Sequence, residues 1–384
     1  MDFLAILAII VLVLAVEHLV YCRKIFSNLE YKCCFSVDEA FEGDEIELIE
    51  EISNAKLLPV SWLKSELATS KWLEAGELES VVTGETRFIS SIFMLKSYHK
   101  IRRSWKVKCL KRGVYTIEKS ILVSSDLFGT MNTSMPVELN ARVRVLPAPL
   151  PADSISRDSV SYICGNVFTK RQIISDPFFY NGIHEYIDGD NLRRICWKAT
   201  AAADELMIYN NDYTLNKSCA VILNCQSSEI DFGDPLDVMA LEICIKVAAS
   251  LLRSCSESGV PMTLLSNGQI AENSGNIISE TATGGEQLLS CLRLLAELKF
   301  DAAESFGAFL NGTCKAAPGT EIYVITPYID EHTVSFAESQ KGVTILTTGE
   351  IPEYIPSHIN AISVGRNFFG LNIPEKEAEH HEAS

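Results

Sequence analysis

The sequence contains no G-x-S-x-G elbow, no G-x-x-x-x-G-K-[ST] phosphate loop, no H-E-x-x-H pair and no G-x-G-x-x-G after a strand. Each of these patterns fixes a nucleophile, a phosphate cradle, a catalytic zinc or a dinucleotide at a defined point of the backbone. Without them the commonest hydrolase, nucleotide-binding and oxidoreductase readings lose their footing. The twelve cysteines, scattered from Cys22 to Cys314, include no C-x-x-C pair and no zinc-site spacing, although Cys33 and Cys34 are adjacent. A chain of this size does not need disulfide staples, so scattered cysteines in apolar stretches, such as Cys219, Cys244 and Cys291, are expected as reduced, buried thiols. The seven histidines are dispersed, and a lone His184 reads as structural.

Positive charge is also in short supply. Thirty-three Lys and Arg against 50 Asp and Glu leave a formal charge of −17 and a pI near 4.9. Such a surface repels phosphate backbones, which excludes nucleic acid as the expected partner. With 47% hydrophobic and 22% charged residues among 384, the chain is neither wholly disordered nor a polytopic transporter. Two domains and a membrane segment fit the length.

Every residue from Phe3 to Val16 is apolar, and after Glu17 and His18 the run resumes through Cys22. At 1.5 Å per residue it covers about 30 Å, the thickness of a bilayer core. No basic n-region precedes it and no small-residue cleavage site follows, so residues 1–24 are expected as a retained anchor. Arg23, Lys24 and Lys32 follow the run while Asp2 precedes it, which places the body in the cytoplasm by the positive-inside rule.

From 32 to 145 short stretches alternate apolar and polar residues. Glu45 to Asn54, Trp105 to Leu110 and Val114 to Val123 are the clearest, with turn residues at Gly43, Gly84 and Gly113. This predicts a β-sandwich-like domain. Three prolines within five positions, Pro147 to Pro151, then mark a boundary and open a linker and signature segment over 146–217.

Beyond Ser218 the pattern becomes α/β. Strands are expected at Cys219 to Asn224, Met262 to Ser266, Glu321 to Thr326, Val343 to Thr348 and Ala361 to Val364. Helices are expected at Pro235 to Ser258, Glu286 to Leu298 and His332 to Gln340. Alternating strands and helices over 218–372 imply a mainly parallel sheet, followed by an acidic tail at 373–384. Ligands bind such sheets beyond the carboxyl ends of their strands, which directs attention to the loop from Asn224 to Pro235.

The segment from Asp176 to Asn210 mixes charged and aromatic residues densely. Asp188-Gly189-Asp190 forms a turn, and Leu192 to Ala203 is expected as a helix carrying Arg193, Arg194 and Lys198 near Glu185 and Tyr186. Arg193 and Trp197 would share one face, with the indole packed inward and the cations accessible. The segment reads either as a surface helix pinned by ion pairs or as a docking site.

HEYIDGDNLRRICWKATA resembles the signature of the domain of unknown function 58 family, Y-x-x-G-D-x-x-R-x-I-x-W-K. Tyr186, Gly189, Asp190, Arg193, Ile195, Trp197 and Lys198 fill the pattern, and Glu185 precedes it. RGVYTI, SSDLFG and VLPAP fall in the family's order, so the resemblance covers nearly the whole chain. It implies an α+β multidomain protein with a membrane helix, a β-sandwich-like domain and a von Willebrand factor A-like domain. It also implies a MoxR-type AAA+ ATPase as partner, beside the lipid bilayer. The chain departs from the family in having one apolar amino-terminal helix where two are usual. It also carries Asn224, Gln226 and Ser228 where metal-binding von Willebrand A domains have D-x-S-x-S. Loss of the Asp charge argues for a degenerate site without metal or cofactor. The reading is a non-enzymatic adaptor or scaffold in protein-complex assembly or envelope maintenance, against two rivals, an envelope-associated enzyme and a metal-dependent adhesion module.

Overall fold

A computed structural model describes residues 7, 12, 21, 23–76, 79–125, 132–149, 175–187, 195–203, 205–213, 218–228, 236–270, 275–312, 320–340 and 342–364. Contacts divide the chain into two compact units. The first comprises residues 1–149, 270–274 and 289–299, the second 150–269, 275–288 and 300–384.

The first unit is built on strands β1 (Leu29–Phe35), β2 (Glu39–Phe41), β3 (Glu45–Asn54), β4 (Val60–Ser70), β5 (Leu73–Ala75), β6 (Glu79–Thr83), β7 (Thr86–Leu95), β8 (His99–Cys109), β9 (Gly113–Ser125) and β10 (Asn132–Leu146). They form a four-stranded sheet, β1-β3-β8-β5, and a six-stranded sheet, β2-β10-β9-β4-β7-β6. Strict alternation explains the pairing: β3 buries Ile46, Leu48, Glu50, Ile52 and Asn54 and turns the residues between them outward. Leu48 and Ile52 of one sheet share a core with Leu63, Leu67, Ile89 and Phe93 of the other, so the unit is a β-sandwich. Tyr21 and Ile25, each 2% exposed, join that same core. Gly113, at φ 151°, lies against the ring of Tyr115, whose hydroxyl donates to the Lys111 carbonyl at 2.7 Å and pins the start of β9.

Residues 289–299 also belong to this unit. There Arg112 donates to the carbonyls of Leu295 (2.7 Å) and Leu298 (3.0 Å), Arg293 to Glu39 at 2.7 and 3.0 Å, and Arg144 to both Glu39 (2.7 Å) and Glu297 (2.6 Å). Two guanidiniums thus converge on one carboxylate, and the Glu39 carboxyl is held below its usual range, chiefly by the Arg293 hydrogen bonds.

The second unit begins with β11 (Ser175–Glu185), α1 (Trp197–Ala203) and β12 (Met207–Tyr213), the two strands pairing antiparallel. It continues with β13 (Ser218–Leu223), α2 (Val238–Glu257), β14 (Met262–Ser266), β15 (Gly268–Ile270) and β16 (Ile277–Ile278), then α3 (Gly285–Glu297), whose last residues cluster with the first unit. β17 (Leu298–Ala302), whose first two residues belong to the first unit, α4 (Phe306–Gly312), β18 (Thr320–Thr326), α5 (Glu331–Ser339), β19 (Val343–Thr347) and β20 (Asn360–Ser363) complete it. The main sheet runs β16-β14-β13-β18-β19-β20, parallel except for the β16 edge. Its central strands bury nearly every side chain, as continuous apolar runs such as CAVIL demand. Asp237 caps α2, accepting from Ala240 N at 2.9 Å, and Asp330 caps α5 through Thr333 N at 2.7 Å.

Among the described residues no helix is long and apolar enough to cross a membrane. Most of Phe3 to Cys22 and the acidic tail lie outside those residues. All nine described cysteines are free, and all but Cys34 are buried.

Candidate functional site

The chain steps from β13 outward to β14 and then returns to β18 on the other side of β13. The switch point therefore lies between the carboxyl ends of β13 and β18. Asn224 follows β13 there and is fully buried. Its Nδ2 donates to Thr326 Oγ1 at 3.0 Å, its Oδ1 accepts from Gln226 N at 2.9 Å, and its own N–H donates to the Ile325 carbonyl at 2.9 Å. Gln226 Oε1 accepts from Phe306 N at 2.7 Å and from Asn267 Nδ2 at 3.4 Å. Asn267 Oδ1 in turn accepts from Cys225 N at 2.9 Å, and Cys225 Sγ lies 3.2 Å from Ser266 Oγ. Ser227 Oγ accepts from Leu236 N at 3.0 Å, and Ser228 is half-buried beside it.

Neutral amides and hydroxyls thus close the crevice on one another. A divalent cation would require anionic oxygens with free lone pairs; the acceptors of Asn224 and Gln226 already face backbone N–H groups, and neither carries charge. The described residues do not fit a magnesium site; Glu229, Asp231 and Asp234 of the same loop lie outside them. Among the described residues no group of three His, Cys, Asp or Glu stands where it could hold a metal ion. The thiol of Cys225 lies beside the Ser266 hydroxyl, which is no base.

The signature segment forms a small hairpin with a helix set into it. Ile195 bridges to Ile208, Cys196 N donates to the Met207 carbonyl at 2.8 Å, Met207 N to Thr200 Oγ1 at 3.1 Å, and Tyr186 N to the Leu206 carbonyl at 2.7 Å. Cys196 and Ile208 are the buried pair beneath it. The helix expected from Leu192 therefore starts later, at Trp197, because Ile195 and Cys196 engage the edge of β12 in extended form. The expected inward indole is also corrected: Trp197 is 71% exposed, and α1 buries none of its residues. Lys198 and Glu185 are exposed and Tyr186 is half-buried, while Gly189, Asp190 and Arg193 lie outside the described residues. The sequence reading overlooked Ile183, Ile187 and Leu206, which stand 44%, 67% and 42% exposed on the same hairpin. The signal for them was present, since Ile183 and Ile187 alternate with polar neighbours in G-I-H-E-Y-I-D.

No family model and no curated protein matches the chain. Among solved structures it is similar to a non-cellulosomal cohesin from Archaeoglobus fulgidus, at 16% identity over 30% of this chain and 91% of that one, with a TM-score of 0.23. It is also similar to the CARDB domain of the PF1109 protein from Pyrococcus furiosus, at 15% identity over 31% and 96%, with a TM-score of 0.20. Both likenesses are confined to less than a third of the chain.

Proposed function

We propose that the protein is a membrane-anchored, non-enzymatic adaptor that acts with a MoxR-type AAA+ ATPase, its body in the cytoplasm and its carboxy-terminal α/β domain of von Willebrand factor A-like type. The observation that carries this reading is the 71% exposure of Trp197, beside an exposed Lys198, at the heart of the signature. Leaving an indole in water costs apolar stabilisation, and a partner that covers it recovers that free energy; Trp, with Tyr and Arg, is the residue type most often found at the energetic centre of an interface. The amide-closed crevice supports the non-enzymatic part, because its described residues meet one another's hydrogen-bonding groups with neutral amides and hydroxyls. The parallel order 2-1-3-4-5 of β13, β14, β18, β19 and β20 supports the von Willebrand A-like assignment.

Affinity purification of the tagged protein after extraction from membranes tests the proposal. Co-recovery of an AAA+ ATPase is the expected result. Recovery of envelope enzymes without an ATPase would replace the adaptor with the envelope-associated rival.

A further inference from the structure

Three segments meet at the end of the sandwich where the chain leaves its apolar run: residues 21 and 23–28, 55–59 and 96–100. The registers Leu29↔Asn54 and Asn54↔His99 bring them together. Hydrogen bonds then lock them. Asn54 Nδ2 donates to the carbonyls of Leu58 (2.9 Å) and Lys96 (3.0 Å), joining the two loops. Ala55 N donates to the Asn28 carbonyl at 2.9 Å, and the buried Lys56 ammonium to those of Ile25 (2.5 Å) and Ser27 (2.8 Å), joining the loops to the end of the helical segment. Tyr21 closes the frame, its hydroxyl donating to the Pro59 carbonyl at 2.8 Å.

On this fixed frame two large side chains point into solvent: Leu57 is 75% exposed and Tyr98 is 71% exposed. Tyr98 also sits at φ 55°, a left-handed conformation that is strained for a non-glycine residue. Around them Arg23, Lys24, Lys96, His99 and Lys100 are exposed, Lys100 already paired with Glu51. In a chain with 50 acidic residues, these three segments contain no Asp or Glu. Exposed aliphatic and aromatic tips on segments that also expose Arg23, Lys24 and Lys96 match a bilayer interface, where such side chains enter the headgroup boundary and Lys and Arg meet lipid phosphates. A free phosphate would account for the cations but not for Leu57 and Tyr98.

We infer that this end of the sandwich rests on an anionic lipid surface, with Leu57 and Tyr98 inserted at the headgroup boundary and Arg23, Lys24 and Lys96 facing lipid phosphates. The inference rests on the anchor reading of the apolar run and fixes how the sandwich meets the membrane. Benzophenone photoprobes placed singly at Leu12, Leu57, Tyr98 and Glu85 in the full chain test it, in phosphatidylcholine vesicles containing a minority of phosphatidylglycerol. Glu85, 77% exposed, precedes β7 while Tyr98 follows it, about 33 Å away along ten strand residues. The expected result is lipid adducts at Leu12, Leu57 and Tyr98 several-fold above those at Glu85. Lys24→Gln with Lys96→Gln is expected to lower the adducts at Leu57 and Tyr98 while leaving Leu12 unchanged. Adducts at Leu12 with background levels at Leu57 and Tyr98 would overturn the surface and leave the anchor standing. Background at Leu12 would remove the anchor, and the surface with it. Adducts at Leu57 and Tyr98 that ignore the double substitution would overturn the role of anionic lipid.

Discussion

Inside the sandwich the carboxylate of Glu50 accepts the indole N–H of Trp105 at 2.7 Å. The same group, fully buried, accepts three hydroxyls: Tyr31 at 2.7 Å and Ser65 at 2.8 Å on Oε1, and Ser91 at 2.7 Å on Oε2. Hydroxyls can turn to donate or accept, whereas an indole only donates. Glu50→Gln is therefore expected to be tolerated in one orientation, its oxygen facing Trp105 and its NH₂ facing the hydroxyls of Tyr31 and Ser65. Glu50→Ala strands all four donors beside a cavity and is expected to cost about 3 kcal/mol or more. Denaturant unfolding of the three proteins checks the ranking Glu50, Gln, Ala. Equal losses for Gln and Ala would contradict it.

Glu39 ties stability to acid. Its folded carboxyl lies below the ordinary range because Arg293, then Arg144, donate to it. A depressed carboxyl contributes stability that is present above the unfolded pKa and is lost as pH falls through the folded one. Melting temperature is therefore expected to fall as pH drops below about 4.5, with Glu39→Gln showing a shallower decline. Parallel pH profiles for the two proteins would remove Glu39 from the account.

Thiol chemistry separates the cysteines. Burial, assisted by Asp44, pushes Cys109 up to about 11, and burial also raises Cys33 and Cys244. Near neutral pH these groups hold almost no thiolate, the reactive form. Limited alkylation of the native protein, read by mass spectrometry, is expected to modify the exposed Cys34 first among the described cysteines and to leave Cys33, its immediate neighbour, unmodified until unfolding. Modification of Cys33 at the rate of Cys34 would contradict the strand register that turns the two to opposite faces.

The crevice at the carboxyl ends of β13 and β18 is expected to be indifferent to magnesium. A site with a dissociation constant a hundredfold below the metal concentration would add about 2.7 kcal/mol. Thermal melts of the full chain in millimolar Mg²⁺ and in chelator are expected to coincide. A metal-dependent gain of that size would mean that Asn224 and Gln226 release their backbone donors and take up the ion.

Much of the architecture could be read from periodicity. The alternation from Glu45 to Asn54 coincides with β3, and the apolar runs at Met262 to Ser266 and Val343 to Thr347 are strands of the parallel sheet. Residue type and local pattern failed where tertiary partners override them. In E-I-E-L-I-E-E-I every acid reads as solvent-facing by type, yet strict alternation puts Glu50 on the face of Ile46, Leu48 and Ile52, and residues distant in sequence supply the four donors that hold it there. Ile195 and Cys196 carry helix-compatible spacing but bond to the edge of β12, a contact that no local window contains. The general preference of indoles for burial points Trp197 inward; its position on a helix that buries nothing is a property of the hairpin around it. The aligned amides at Asn224 and Gln226 were legible as residues, whereas their mutual closure through Asn267, Thr326 and Phe306 N required the fold.

The affinity of the purified full chain for a MoxR-type ATPase, compared with that of Trp197→Ala, tests most directly whether the exposed signature face is the proposed ATPase contact. Saturable binding by the parent chain is expected. The variant is expected to bind about thirtyfold more weakly, as loss of a 2 kcal/mol anchor implies, with its melting curve unchanged because α1 buries nothing. Equal affinity for both proteins, or no binding by the parent chain, would contradict the account.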